Sequence, residues 1–181
     1  WTIFSGLRSQ PPIFGFNPDV KAFPYDPEKA KKLLAEAGYP GGIDLTFDTP
    51  QGRYTKDKEV AEAVVGQLRK VGIRAKLDTI EWAVWMERNS KKTFHESFMV
   101  GWSYHVLDFD DSFVSRWTYW VNPEVTNKMN AARISVKPAE RARLYKEVIS
   151  TMVEDPPVLF LYLQKTLYAQ MEWTTMWADS F

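Results

Sequence analysis

Helical and strand-like patterns alternate along the chain from residue 26 to residue 102, and this alternation limits the folds that are available. The segment "YDPEKAKKLLAEAGYPGG" predicts a helix, because Asp26 suits its N-cap, Pro27 its first position and Gly38 its end. Its apolar residues form one stripe: Ala30, Leu33, Leu34 and Ala37. "IDLTFD" then alternates at Ile43, Leu45 and Phe47, which predicts a strand.

The next segments repeat this order of helix and strand. "KDKEVAEAVVGQLRKVG" predicts a helix that ends at Gly72, and its core-facing residues are Val60, Ala61, Val64, Val65 and Leu68. "IRAKLDTI" predicts a strand, "EWAVWMERNS" a short helix and "FHESFMVGW" a further strand. We therefore expect an α/β fold with a mixed, mostly parallel sheet flanked by helices. Ligands of such sheets bind beyond the carboxyl ends of the strands.

The second half of the chain is more helical. We expect a helix at residues 110–118, a weaker one at 123–133 and a strong one in "PAERARLYKEVISTMVED", which opens at Pro138. The inward residues of the strong helix are Leu144, Tyr145, Val148, Ile149 and Met152. "PPVLFLYLQKTLYAQM" predicts two strands with a break near Gln164. Residues 1–25 are rich in proline and predict an irregular connector along the surface.

Composition excludes several classes of function. Twenty-three basic and twenty-three acidic residues leave no net charge, which argues against a nucleic-acid or anionic-membrane surface over the whole domain. The chain has no cysteine, so disulfides, thiolate metal sites and cysteine nucleophiles are excluded. It also lacks a run of about 18 apolar residues, the length that would span a membrane. Eight tryptophans are more than packing usually needs, so some are expected at a binding surface.

Several motifs in order resemble one known family. "YDPEKAKKLLAEAGYPGG", "TPQGRYTKDKEVAEAVVGQLRKVGIRAKLDTIEW", "VGW" and "RARLYKEVISTMVEDPPVLFLYLQKTLYA" are similar to the family 5 solute-binding proteins of bacterial ABC transporters. These are the oligopeptide, dipeptide and nickel-type binding proteins. The resemblance covers residues 11–170. Each motif alone is weakly specific, and their order together is specific.

The resemblance implies a periplasmic-binding-protein-like fold of type II, in which two lobes close on a ligand. This chain resembles the second lobe, at residues 26–181, and residues 1–25 would then be a connector from a first lobe outside this sequence. The implied partners are a peptide or other small solute, the permease of an ABC transporter and the first lobe. The implied location is periplasmic or extracellular, and a membrane tether in the full-length protein is compatible with it. No cofactor is implied, and a lobe alone is expected to bind ligand weakly or not at all.

The stretch "FMVGWSYHVLDFDDSF" carries the main candidates for ligand contact. In similar proteins the strand end at "GW" lines the cleft, which implies cleft positions for Trp102, Tyr104 and His105. An Asp three or four positions after this Trp often pairs with the ammonium group of the ligand. His105 and Val106 stand there in this chain, so amine recognition would fall to Asp108. The alternative is that Asp108 caps the next helix, together with Asp110 and Asp111.

Two other segments add candidate contacts. The resemblance places Trp82 of the "EW" pair and the loop that holds Arg53 and Tyr54 near the cleft. An indole can stack on a side chain or a peptide plane, and an arginine beside a helix N-terminus can bind a carboxylate or phosphate. The alternative for Trp82 is ordinary core packing, and Trp85 is expected in the core or on the surface.

Catalysis and metal binding are weaker hypotheses. His95 and His105 are ten residues apart and no cysteine accompanies them, so we expect no metal site. His95 is expected at the surface, on a strand edge. Ser103, His105 and Asp108 could form a hydrolase triad, but their spacing does not fit the nucleophile elbow of known hydrolases. A third possibility is an interaction module whose exposed aromatic residues dock a partner protein.

Overall fold

A parallel sheet organises the first half of the fold. The structure is a computed structural model, and it describes residues 13–21, 23–101, 107–111, 120–159 and 161–162. Within these residues the strands β1 (Ile43–Gln51), β2 (Ile73–Glu81) and β3 (Ser97–Phe98) form a parallel sheet in the order β2-β1-β3. The helices are α1 (Pro27–Glu36), α2 (Asp57–Lys70), α3 (Trp82–Lys91), α4 (Pro123–Ile134) and α5 (Pro138–Glu154). The predicted α/β class, with helices flanking a parallel sheet, is confirmed.

The helix boundaries follow the predicted signals. The side chain of Asp26 accepts a 2.9 Å hydrogen bond from the Lys29 N–H, so it caps α1 as expected. Gly38 and Gly72 follow α1 and α2 with φ values of 92° and 93°, in the left-handed region that favours glycine. The predicted ends of both helices are therefore confirmed.

One core lies between α2 and the sheet. Its buried residues are Phe47, Ala61, Val65 and Ala75, and Leu45, Val64, Leu68 and Leu77 pack against them in part. These residues come from the predicted inner faces of α2, β1 and β2, so those faces are confirmed. Full burial of one such aliphatic side chain stabilises the fold by about 1.5–3 kcal/mol.

The apolar stripe of α1 behaves differently. This helix buries none of its residues, and Leu33, which lies in the stripe, is 53% exposed. The 3.6-residue period correctly predicted a helix with an apolar face. A local period does not decide whether a neighbouring element covers that face.

A second core joins α4 and α5. The predicted inward residues of α5 are all buried, namely Leu144, Tyr145, Val148, Ile149 and Met152. Val20 and Phe109 complete this core from outside the two helices. Phe14 is hydrogen-bonded to the segment that carries Phe109. Its N–H donates to the Leu107 carbonyl at 2.9 Å, and its carbonyl accepts from the Phe109 N–H at 3.0 Å. Part of the predicted connector thus packs into a core, and its origin in another lobe stays a prediction.

Two predicted strands differ from the structure. The strand expected in "FHESFMVGW" is limited to Ser97–Phe98. One reason is that the His95 N–H donates to the side chain of Asp48, at 2.9 Å, instead of to a strand carbonyl. Residues 156–159 and 161–162 contain no strand. The helix expected at 110–118 and the strand after Gln164 lie, for the most part, outside the described residues.

Helix length and polarity also bear on membranes. None of the helices in the described ranges is long and apolar enough to cross a bilayer.

Candidate functional site

The loops that follow β1 and β2 meet at one edge of the sheet. Gln51 and Glu81 are register partners at the carboxyl ends of these parallel strands. The chain leaves β1 through residues 52–56 and leaves β2 directly into α3. Arg53, Tyr54 and Trp82 therefore lie side by side at this edge, and their contact with a ligand stays a prediction.

These three residues form a compact group, which we call the aromatic rim. The guanidinium carbon of Arg53 lies 4.9 Å from the centroid of the Trp82 ring and 5.4 Å from that of Tyr54. The Tyr54 and Trp82 rings meet edge to face, with centroids 6.1 Å apart. A cation over an aromatic face is attracted by the ring's quadrupole, so both rings favour this position of the guanidinium.

The charge of Arg53 is available at the surface. Arg53 is exposed, and within the described ranges no carboxylate pairs with its guanidinium. The hydroxyl of Tyr54 donates to the Gly101 carbonyl at 3.2 Å, which ties the rim to the segment just before Trp102. Burial raises the pKa of the Tyr54 phenol, so this donor stays protonated at neutral pH. Among the described residues, the rim thus offers a cation with which no carboxylate pairs, next to two aromatic rings.

A column of stacked rings supports the rim from below. Trp82 stacks on Trp85 with ring centroids 4.8 Å apart and an interplanar angle of 12°. Trp85 is fully buried and contacts Phe94 and Phe98, which stack on each other at 4.2 Å. Trp85 is therefore a core residue, one of the two positions expected for it. Trp82 stacks on this core through one face and contacts Arg53 and Tyr54 at the rim, so its core packing is shown and its contact with a ligand stays a prediction.

A cluster of charged residues lies beneath the same edge; we call Asp48, Asp78, Arg88 and His95 the Asp48 cluster. Asp48 and Asp78 are register partners on β1 and β2. Nη1 of Arg88 donates to Asp48 at 2.8 Å and to Asp78 at 2.9 Å. Nδ1 of His95 lies 2.8 Å from Asp48, within hydrogen-bond distance. Asp48 itself is fully buried.

The carboxylates and the imidazole of this cluster could in principle hold a metal ion. One ligand atom from each of Asp48, Asp78 and His95 lies within 4.8 Å of the others. The guanidinium of Arg88 already lies among them, however, and it supplies the positive charge that a metal would bring. The hydrogen bond that Arg88 donates to Asp78 raises the pKa of the guanidinium above its usual value. The arrangement is that of an ion-pair network around one buried carboxylate, in which the charges satisfy one another.

Asp108 has partners within the protein. Its carboxylate pairs with Arg141 at 2.8 Å and accepts a 3.0 Å hydrogen bond from the Asp110 N–H. Asp110 pairs in turn with Arg133, at 2.8 Å. A ligand ammonium at Asp108 would therefore compete with Arg141. Ligand contact by Asp108 stays a prediction, and so does the expected helix cap, because residues 112–119 lie outside the described ranges.

Several predicted site residues cannot be placed. Trp102, Ser103, Tyr104 and His105 lie outside the described residues. His95 was expected on the surface at a strand edge, and its half-exposed ring contacts the buried Asp48. The Asp48 cluster was not predicted from the sequence. One signal was present, because Asp48 and Asp78 occupy the sixth position of two strands of equal length.

Comparison with known sequences decides the family. The sequence profile described as "Bacterial extracellular solute-binding proteins, family 5 Middle" matches residues 6–123. The chain belongs to this family. The resemblance seen in the sequence motifs is therefore confirmed, and the family is one of solute-binding proteins outside the cell.

Individual relatives agree with this assignment. The dipeptide-binding protein of Escherichia coli (strain K12) is 32% identical over 165 residues, which cover 83% of this chain and 31% of that protein. Heme-binding protein A of Haemophilus influenzae is 32% identical over 151 residues, with coverage of 76% and 27%. A dipeptide-binding protein of Pseudoalteromonas sp. SM9913, solved with Met-Leu, superposes with a TM-score of 0.73 at 26% identity. The superposed region covers 82% of this chain and 32% of that protein's chain. The chain thus spans about a third of the length of these relatives.

Proposed function

We propose that this chain is the second lobe of a substrate-binding protein that serves an ABC importer. Its ligand is a short peptide or a related small solute, and it works by closing a cleft against a first lobe that is not in this sequence. The loaded protein delivers the ligand to a membrane permease. It works in the periplasm or outside the cell, and a lipid or peptide tether to the membrane fits this role.

The aromatic rim is the observation that carries this proposal. It lies at the carboxyl edge of a parallel sheet, where ligands of α/β folds bind. The guanidinium of Arg53 can donate two parallel hydrogen bonds to a carboxylate, and the aromatic rings of Tyr54 and Trp82 lie directly beside it. This combination suits a solute that carries a carboxylate next to an apolar or planar group. Trp102, Tyr104 and His105 are proposed to extend the same surface.

The relatives narrow the ligand only to a class. Two of them share 32% identity with this chain, and one is named for a dipeptide and the other for heme. Both kinds of ligand carry a carboxylate, so Arg53 would serve either. We favour the peptide, because one of the solved relatives that superpose on this chain holds Met-Leu.

The protein is proposed to do no chemistry on its ligand. The family is defined by solute binding. The alternative hydrolase would need Asp108 to orient His105, yet the carboxylate of Asp108 pairs with Arg141. The hydrolase alternative thus finds no support among the described contacts or the relatives.

A titration with a dipeptide tests the proposal. Met-Leu is added to the ¹⁵N-labelled 181-residue chain and amide shifts are recorded. We expect saturable shifts at Arg53, Tyr54 and the Trp82 indole, with weak affinity because one lobe offers only part of the contacts. Arg53→Gln and Trp82→Ala should abolish these shifts.

A matched control tests whether the effect depends on the place of the arginine and not only on the loss of a positive charge. Arg69→Gln removes an exposed arginine from the far end of α2 and should leave the titration unchanged. Shifts that avoid the aromatic rim, or no saturable shift at all, would contradict the proposed site. Sub-micromolar binding by calorimetry would show instead that this lobe needs no partner lobe.

A further inference from the structure

We propose that Asp57 is a positioning residue for the aromatic rim: its carboxylate holds the loop that presents Arg53 and Tyr54. The role in ligand binding rests on the proposed function above. The role in holding the loop does not depend on it.

The carboxylate of Asp57 faces back into the loop that precedes it. Its Oδ2 accepts hydrogen bonds from the Arg53 N–H at 2.8 Å and from the Tyr54 N–H at 3.1 Å. Its Oδ1 accepts from the Lys58 N–H at 2.9 Å. The loop is closed a second time by the Asp57 N–H, which donates to the Tyr54 carbonyl at 3.3 Å. One buried side chain therefore binds the amides of both rim residues of this loop.

This use of an aspartate departs from ordinary helix capping. The N-cap residue of α2 is Lys56, which has a left-handed φ of 57° and whose side chain makes no capping bond. The first helical residue, Asp57, supplies the acceptor instead. A carboxylate is also favoured here by the partial positive charge of the helix N-terminus. The arrangement points the carboxylate at the loop, because the chain doubles back before the helix begins.

The hydrogen bonds from the Arg53 and Tyr54 amides to Asp57 set the position of the Arg53 side chain. The backbone of Arg53 is held by Asp57, and its guanidinium lies over the rings of Tyr54 and Trp82. Tyr54 is held at both ends, by Asp57 at its amide and by Gly101 at its hydroxyl. Rotation of the loop would therefore move the cation away from Trp82. A cation whose place is set before the ligand arrives costs less ordering entropy on binding.

Asp57 holds the loop in its ionised form, because a carboxylate accepts the hydrogen bonds that the loop amides donate. Burial acts to raise the pKa of this carboxyl, but hydrogen bonds from the backbone N–H groups of Tyr54, Arg53, Gly52 and Lys58 outweigh it and lower the pKa below its usual value. The charged residues beside Asp57 in the loop and in the first turn of α2 are Arg53, Lys56, Lys58 and Glu59. The carboxylate is thus ionised throughout the neutral range.

Nuclear magnetic resonance of the free chain tests the positioning. In the wild type, the side-chain protons of Arg53 should be shifted upfield by the ring current of Trp82. In Asp57→Asn we expect this upfield shift to be lost. The control is Glu59→Gln, which removes an acidic residue from the same first turn of α2 and should retain the shift. Unchanged Arg53 shifts in Asp57→Asn would overturn the proposal.

A measurement on the unmodified chain guards against a variant that fails to fold. The amide protons of Arg53, Tyr54 and Lys58 should titrate together as the pH falls, with one midpoint below the usual carboxyl range. Independent midpoints, or no acid titration of these amides, would overturn the proposal.

Ligand binding then separates this inference from the proposed function. With Met-Leu as the probe, Asp57→Asn should bind about tenfold more weakly than the wild type, the size of one charge-assisted hydrogen bond. Equal binding by the variant would overturn the positioning role while the proposed function stands. If the wild type does not bind Met-Leu, the proposed function loses its support, and the Arg53 shifts still decide the role of Asp57.

Discussion

Arg88 donates a 2.8 Å hydrogen bond to Asp48, whose side chain is fully buried in the centre of the sheet. The same Nη1 also reaches Asp78 on the neighbouring strand, at 2.9 Å. Arg88 of α3 thus pairs with a carboxylate on each of two neighbouring strands. These two ion pairs hold α3 against the sheet. Since α3 begins at Trp82, the ion pair also helps to fix where the aromatic rim lies.

Replacement of Arg88 by Met should destabilise the fold strongly. It leaves the buried carboxylate of Asp48 without its arginine, and the loss of one partner of a buried pair typically costs about 3–5 kcal/mol. His95 still contacts Asp48, so we expect the low end of that range. The measurement is urea unfolding followed by circular dichroism.

Lys91→Met is the matched control, because it removes a cation from the same helix. Lys91 pairs with Glu87 at the exposed surface, where solvent screens the charges, so its removal should change the stability little. Equal losses of stability in the two variants would contradict the role given to Arg88.

Two glycine substitutions should act in opposite directions. Gly42 has a φ of 83°, and a Cβ added there would lie 2.1 Å from the Gly72 carbonyl oxygen. Gly42→Ala should therefore destabilise the fold by more than about 1 kcal/mol. Gly66 lies inside α2, and an added Cβ would meet nothing within 4 Å. Gly66→Ala should stabilise the fold by about 0.5–1 kcal/mol, through the higher helix propensity of alanine. Thermal unfolding of the two variants in parallel would measure both effects.

Alkaline pH should weaken the fold through Tyr145. Burial, followed by the negative charge of Asp108, raises the pKa of Tyr145 to about 12. A phenol with a raised pKa contributes its full stability below its unfolded pKa of about 10, and this contribution is lost as the pH rises toward the folded value. In Tyr145→Phe the free energy of unfolding should therefore fall less between pH 10 and 12 than in the wild type.

Denaturant unfolding across that pH range provides the test. Tyr39→Phe is the control, because it removes the hydroxyl of an exposed tyrosine instead of a buried one. A steeper alkaline loss in Tyr145→Phe than in the wild type would run against the expected sign.

Acid should weaken the fold through Asp57. Its pKa is lowered in the folded chain, so its contribution is present above the usual carboxyl pKa of about 3.9 and is lost as the pH falls through the folded value. The difference in free energy of unfolding between the wild type and Asp57→Asn should shrink steadily below pH ~4. A difference that stays constant down to pH ~2 would show that this carboxyl is not a source of acid sensitivity.

Local patterns predicted most of the secondary structure. Asp26, Gly38, Gly72 and Pro138 mark the helix ends where they were expected, because caps and breakers act through backbone geometry within a few residues. The buried faces of α2 and α5 also followed from a 3.6-residue period. The apolar stripe of α1 shows the limit, because a period predicts a face and not the element that covers it.

The sequence by itself determined the alternation of helix and strand, the α/β class and the family, since all of these depend on patterns within short segments and on their order. Only the tertiary structure decided that Arg88 joins Asp48 to Asp78, that Asp57 closes the loop of Arg53, and that Asp108 pairs with Arg141. These contacts join residues whose proximity depends on strand register and on the packing of helices against the sheet. No local period carries that information, because it arises only when distant segments meet.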